Sequence, residues 1–412
     1  MWDYLQNPGF LAFVVAMTIL VAWAMIRSEI IPAFLFFVMS AMGVIYEITG
    51  MGQISMLKAV LLVLLTAVLI AGRLRARARL PVGISIVVLL YMGTVILSGY
   101  LNNVPLTYFR SDMGTLAVAI TVSLCPNNEK TLKYLTWTFA IWGIINFGAT
   151  VAEFAGMGWV PTYQKYRDVG METRAYHSSG FMGHPTYMGL YYVIALIAAQ
   201  ILYLVSKTRP IRLLIGAAFI VLVMGLFGTL ARGALGAWIL ASLYIQYRAR
   251  GLTLRTMVTI GSVAIVVMVM SMLFMGLGEQ MLARFENIES DRSALERIPL
   301  WEQSMTAFIA SPVVGNGPGW KSGTLLLQSH NTFIQVLVES GALGLFLFCT
   351  LMVMTLRRLL VRSRQHPSKS QEYSMYQLGF FTTVAAILID GLTHSFDFIL
   401  PLWMLVGIAF TL

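Results

Sequence analysis

Apolar runs of about twenty residues recur from one end of this 412-residue chain to the other, broken only by short polar connectors. That length matches the ~20 helical residues needed to cross ~30 Å of hydrocarbon. The runs are continuous rather than alternating, so they read as helices and not as strands of a closed barrel. We read spans near 9–26, 30–47, 55–72, 81–99, 111–126, 134–157, 185–205, 213–230, 233–247, 256–276, 331–356, 375–393 and 398–412. Charged residues make up only 11% of the chain, against roughly 25% in an average soluble domain, which leaves too few groups to wet a surface. The expected fold is an all-α, polytopic integral membrane protein of 12–13 transmembrane helices, built as one transmembrane domain over 1–412.

The net charge of +10 would suit a nucleic-acid partner if it were gathered on one surface patch, but its distribution argues for topology instead. Connectors 27–29, 73–80, 127–133, 206–212, 248–255 and 357–372 hold 18 of the 28 Lys and Arg and only 3 of the 18 acids. Basic residues stay with the cytoplasmic face, so the run Arg73, Arg75, Arg77, Arg79 is an anchor, and no nucleic-acid partner is expected. The same rule puts 158–184, the turn at Arg232 and the insertion 277–330 outside, and the C-terminus inside. Thirteen spans put the N-terminus outside; twelve, with one of the first two runs not crossing, put it inside. No cleavable signal pattern is expected, because a second apolar run follows Arg27 at once.

Within 277–330 the stretch from Pro299 to Ala310 reads as a short helix with Trp301, Met305 and Phe308 on one face, followed by a turn-rich return through Gly315, Gly317, Pro318 and Gly319. Such a helix lies on the outer leaflet or packs on the bundle. Cys125 and Cys349 offer neither metal spacing nor a disulfide framework.

Nucleotide loops, dinucleotide glycine patterns, HExxH and paired-cysteine metal motifs are absent. The chemistry must come from polar residues where outer loops meet helices. Arg232 stands alone at a tight outer turn, against the positive-inside bias, and needs a partner or ligand. The 158–184 loop carries Arg174, His177 and His184. His330 opens a long helix, and Asn331, Gln335 and Glu339 follow at four-residue spacing as a polar stripe. Such stripes face a cavity or another polar group rather than lipid, and the N–H groups at the helix start would be open to an anion. A second cluster, Asp390, His394 and Asp397, has spacing i, i+4, i+7; it supports the site or joins two helices.

Four stretches together resemble the bacterial O-antigen ligase and O-antigen or exopolysaccharide polymerase superfamily. They are Arg174 through Gly189, the Leu230-Ala-Arg-Gly-Ala turn, Arg297 through Gly319, and Ser329-His-Asn-Thr-Phe through Gly344. The resemblance implies a GT-C-like membrane glycosyltransferase of surface-polysaccharide assembly. Its donor would be a glycan on undecaprenyl pyrophosphate, and its acceptor a sugar hydroxyl of another glycan or of the lipid A core. It further implies inversion without a metal or other cofactor, membrane lipids as surroundings, and a site on the periplasmic side of the bacterial inner membrane. Arg174 and Arg232 would grip the pyrophosphate and His330 would meet the acceptor hydroxyl, with Asn331, Arg297, His184, Trp301, Gln335 and Glu339 as substrate-binding candidates. The competing class is a transporter such as a lipid-linked oligosaccharide flippase, which would place its charged groups near the midplane in repeated halves.

Overall fold

The computed structural model describes residues 28–49, 66, 69–70, 72, 82–105, 109–155, 180–182, 184–251, 297–323, 327–364, 370–396 and 399–411. The runs expected at 9–26 and 256–276, most of 55–72, and Arg174, His177 and Asp397 lie outside the described residues. The described chain is helical: α1 Ile31–Thr49, α2 Val82–Leu101, α3 Phe109–Ser123, α4 Glu129–Phe154, α5 Pro185–Val205, α6 Arg209–Thr229, α7 Arg232–Arg250, α8 Arg297–Ala310, α9 Thr332–Arg364, α10 Gln371–Asp390 and α11 Leu400–Phe410. Among the described residues, four helices are long and apolar enough to cross a membrane, within Glu129–Glu153, Pro185–Val205, Arg209–Thr229 and Thr332–Arg364. The protein is an all-α polytopic membrane protein.

Helix α5 is the axis of the bundle and packs against α4, α6, α7 and α10. It is apolar on all sides, with Met188 through Leu202 buried. Small residues set the approach of its neighbours. A Cβ on Gly143 of α4 would collide with Ala195, one on Gly225 of α6 with the Tyr192 ring, and Gly189 lies against Ala231 and Ala234. Tyr192 is wholly buried, and its hydroxyl is satisfied by Thr150 at 2.7 Å.

Helix α9 is built differently. Gly341 breaks it with φ 67° and ψ −172°. Below the break, residues 342–364 extend for about 33 Å, enough to cross the hydrocarbon alone. Above it, residues 332–340 rise about another 12 Å. The backbone groups released at the break are taken up by the turn-rich segment. Asn316 N donates to Val338 O (2.8 Å), Gly317 N to Glu339 O (3.0 Å) and Ala342 N to Pro312 O (2.9 Å). Ser98 of α2 ties the joint, donating to Glu339 O and accepting from Gly317 N. Side chains have no room here: a Cβ on Gly341 would run into Val313 O, and one on Gly315, itself at φ 75°, into the Glu339 carbonyl. Two of the stretches that carried the resemblance thus dock onto each other, backbone to backbone.

Helix α8 packs against α9 by burying Leu300 and Ser304, so of the two placements left open by the sequence it takes the bundle-packed one. Trp301, Met305 and Phe308 are half-buried, while Ile298 and Ile309 stay exposed.

The connectors sort to two ends. At one end Lys207 Nζ meets Glu372 Oε1 at 2.7 Å, and this hydrogen bond and charge raise the Lys207 ammonium above its ordinary pKa. Ser370 bonds Glu129, Tyr373 Oη donates to Asn127 (3.1 Å), and Arg362 donates to the carbonyls of Ile408 and Thr411. The basic connectors around 127–133, 206–212 and 357–372 therefore share one end with Thr411. Helix α11, at eleven residues, is shorter than the span expected at 398–412. Before it, 391–396 runs in turns and irregular chain, with Phe396 and Ile399 buried. The opposite end gathers 184–187, 229–233, 329–332 and 390–396.

Candidate functional site

At this opposite end His330 has φ 49°, a left-handed conformation unusual for a non-glycine residue. Such a backbone costs on the order of 1 kcal/mol and persists where its surroundings over-determine it. The surroundings do so from both sides. Ser329, fully buried, donates its N–H (2.9 Å) and hydroxyl (2.7 Å) to Gln335 Oε1, and its carbonyl accepts from Trp301 Nε1 at 2.9 Å. On the other side Asn331 Nδ2 donates to Leu392 O (3.0 Å), and Thr332 N donates to Gly391 O (2.7 Å). The Thr332 hydroxyl donates to His394 O (2.8 Å) and accepts from Phe396 N (2.8 Å).

These bonds revise several expectations. Gln335 is fully buried; its Oε1 holds Ser329, and its Nε2 donates to Glu339 Oε1 (2.6 Å) and Trp320 O (3.0 Å). Glu339, 6% exposed, also accepts from Gly319 N at 2.9 Å. Gln335 and Glu339 therefore face the glycine-rich turn, the polar partner of the stripe, and with Trp301 they hold the segment that carries His330. Asn331 is the N-cap of α9: its Oδ1 accepts from Phe333 N (2.9 Å) and Ile334 N (3.1 Å). Together with Gly391 O on Thr332 N, this fills the N–H groups that the sequence left open to an anion, so the start of α9 is no anion site. No one-residue signal announces this; it depends on where 390–392 comes to lie.

Facing His330 is the cluster that the sequence left open as support or joint. The rings of His330 and His394 stand perpendicular with centroids 6.2 Å apart. Asp390, fully buried, places Oδ1 3.6 Å from His394 Nδ1, and Thr393 Oγ1 lies 2.9 Å from the same nitrogen. The start of α7 closes on this group: a Cβ on Gly233 would collide with Asp390 Oδ1 and Thr393 Oγ1. Arg232, exposed at the first turn of α7, follows a turn in which Leu230 takes φ 51°. The start of α7 that carries Arg232 thus packs on the loop that faces His330.

His184 caps α5, accepting from Thr186 N at 3.3 Å. Its ring meets Tyr187, which meets Phe396, which meets His394, an aromatic arc with centroid separations of 6.0, 5.3 and 5.6 Å. The Tyr187 hydroxyl donates to Ser395 O (3.1 Å), fastening α5 to the same loop. Arg297 is half-buried at the start of α8. Among the described residues no group of three or more His, Cys, Asp or Glu could hold a metal ion.

The geometry pairs an imidazole in a constrained backbone with a second imidazole, a buried carboxylate and an exposed arginine at the start of α7. That set can receive a proton beside an anion-binding cation. No curated protein matches the chain as a relative. A family model described as O-antigen ligase matches residues 217–349, from within α6 to just past the break in α9. The match takes in Arg232, Arg297, the 311–319 turn and His330 with its stripe, so over this third of the chain the protein is similar to the O-antigen ligase family.

Proposed function

We propose that the protein transfers a glycan from undecaprenyl pyrophosphate to the hydroxyl of an acceptor sugar, on the periplasmic face of a bacterial inner membrane. The observation that carries this reading is His330, pinned in a left-handed conformation by both neighbours, facing the loop on which the start of α7 with Arg232 packs, at the end of the bundle away from the basic connectors. The acceptor oxygen attacks the anomeric carbon from the face opposite the pyrophosphate. The bond from carbon to the pyrophosphate oxygen breaks, undecaprenyl pyrophosphate leaves with the electron pair, and the hydroxyl proton passes to His330. Direct displacement inverts the anomeric centre.

Pyrophosphate is already a good leaving group, so the protein's task is to hold its growing charge. Arg232, with Arg174, does this with planar, bidentate donors and without a metal. Arg232→Lys is expected to lose most activity at normal membrane levels, because a point ammonium cannot replace the fork; full activity in reconstituted transfer would rule out pyrophosphate binding there. Transfer releases undecaprenyl pyrophosphate, whereas a flippase moves the glycan across vesicles with its linkage intact. For the acceptor, the Gly180-Phe-Met-Gly-His-Pro stretch inclines towards a polymerase. Deleting the gene and sizing the surface glycan decides: single repeats left on the core indicate a polymerase, lipid-linked chains that never reach the core a ligase.

A further inference from the structure

We infer that His394, backed by Asp390 and Thr393, is a positioning residue that acts through His330; this rests on the reading of His330 as the base. His394 Nδ1 faces two oxygens, Thr393 Oγ1 at 2.9 Å and Asp390 Oδ1 at 3.6 Å. The Thr393 hydroxyl donates to Asp390 O at 2.9 Å, so towards Nδ1 it acts as an acceptor. Both groups call for a proton on Nδ1, and this network assigns the tautomer. The other nitrogen of His394, Nε2, is then left with a lone pair.

That lone pair is the group His330 needs. The two rings stand perpendicular at 6.2 Å between centroids, too far for their nitrogens to bond directly and a separation that one water spans. An N–H of His330 given through that water to His394 fixes the tautomer of His330 and leaves its second nitrogen as the proton acceptor. When His330 takes the hydroxyl proton, the new positive charge lies next to a neutral imidazole with a carboxyl group behind it. The proton stays on His330 until it leaves to solvent, and His394 carries none of it.

The second observation is the placement of Asp390. It is fully buried, and its Oδ2 has no hydrogen-bond partner among the described residues. It is pressed against the start of α7 by Gly233, the helix end whose dipole favours an anion. A buried carboxyl that only joined two helices would be matched by donors on both oxygens. Here one oxygen is directed to an imidazole and the other is unused. Asp390, Thr393 and His394 all fall outside the residues 217–349 of the family match, so this half of the site comes from a part of the chain that the match does not reach.

The test is a double-mutant cycle on reconstituted full-length protein, with lipid-linked glycan as donor and glycan as acceptor. His394→Phe keeps the ring packed on Phe396 and removes both nitrogens. It should lower kcat about 10- to 100-fold with little change in acceptor KM, and His394→Gln should recover part of that rate. Asp390→Asn should lower kcat about tenfold, its fold checked by melting and gel filtration. Combining His394→Phe with His330→Ala should cost no more than His330→Ala alone. Wild-type kcat in His394→Phe, a change in KM alone, or a double variant losing the product of the two single effects would each overturn the inference. A His330→Ala single variant that transfers at the normal rate would instead remove the reading of His330 itself.

Discussion

Helices α5 and α9 both run the height of the bundle, and they solve the problem of a buried backbone in opposite ways. Helix α5 is unbroken from Pro185 to Val205, apolar on every side, and held by small residues that let neighbours approach. Helix α9 gives up its regularity at Gly341, and its upper part is held by side-chain and backbone hydrogen bonds from 311–320 and from 390–396. The first arrangement makes a rigid post. The second makes a holder whose shape depends on many directed bonds, and the candidate site stands on the holder. Buried polar groups are costly unless satisfied, so a chain concentrates them where orientation matters more than burial.

That difference is open to attack. The largest effect is expected from Gly341→Ala. The substitution puts a Cβ at φ 67° and into Val313 O, which should cost on the order of 2–4 kcal/mol and displace the segment that carries His330. Activity per folded molecule should fall more than tenfold, whereas Gly143→Ala, which crowds Ala195 of α5, should lower the melting temperature and leave the rate per folded molecule unchanged. Equal rates in the two variants would erase the distinction between post and holder.

The next effect is at Gln335→Leu. It removes the acceptor for two donors of Ser329 and leaves a buried N–H unmade, worth about 1–3 kcal/mol. The rate should fall roughly tenfold with acceptor affinity little altered. A raised acceptor KM at unchanged kcat would restore the expectation that Gln335 contacts the substrate. Smallest of the three, Trp301→Phe loses one hydrogen bond to Ser329 O, about 1 kcal/mol, and should slow transfer only a few-fold.

Much of this was legible in the residues. The expected runs at 185–205 and 213–230 coincide with α5 and lie within or at the end of α6, because such helices are specified by unbroken hydrophobicity that needs no partner to be recognised. The four-residue spacing of Gln335 and Glu339 was correct as geometry, and the two do share a face, whereas Asn331 caps the helix and turns to Leu392 O. What that face meets was not legible. Glu339-Ser-Gly sits inside an apolar run that reads as one helix, and only the arrival of Pro312 through Gly319 turns it into a break. The i, i+4 spacing of Asp390 and His394 likewise put them on one side of a chain end, but their neighbour His330 is some sixty residues away in sequence. Local pattern gives elements and faces; pairings across the bundle come from packing.

The central claim, that the constrained imidazole of His330 takes the proton of the acceptor hydroxyl, is tested most directly by single-turnover transfer with His330→Ala and His330→Gln in reconstituted protein with donor lipid in excess. His330→Ala should slow the chemical step roughly 10²–10⁴-fold, the usual range for loss of a general base. His330→Gln should stay within about tenfold of that loss, because glutamine can hydrogen-bond the hydroxyl but cannot take its proton. Transfer at the wild-type rate by His330→Ala, or recovery of most of the rate by His330→Gln, would contradict the account.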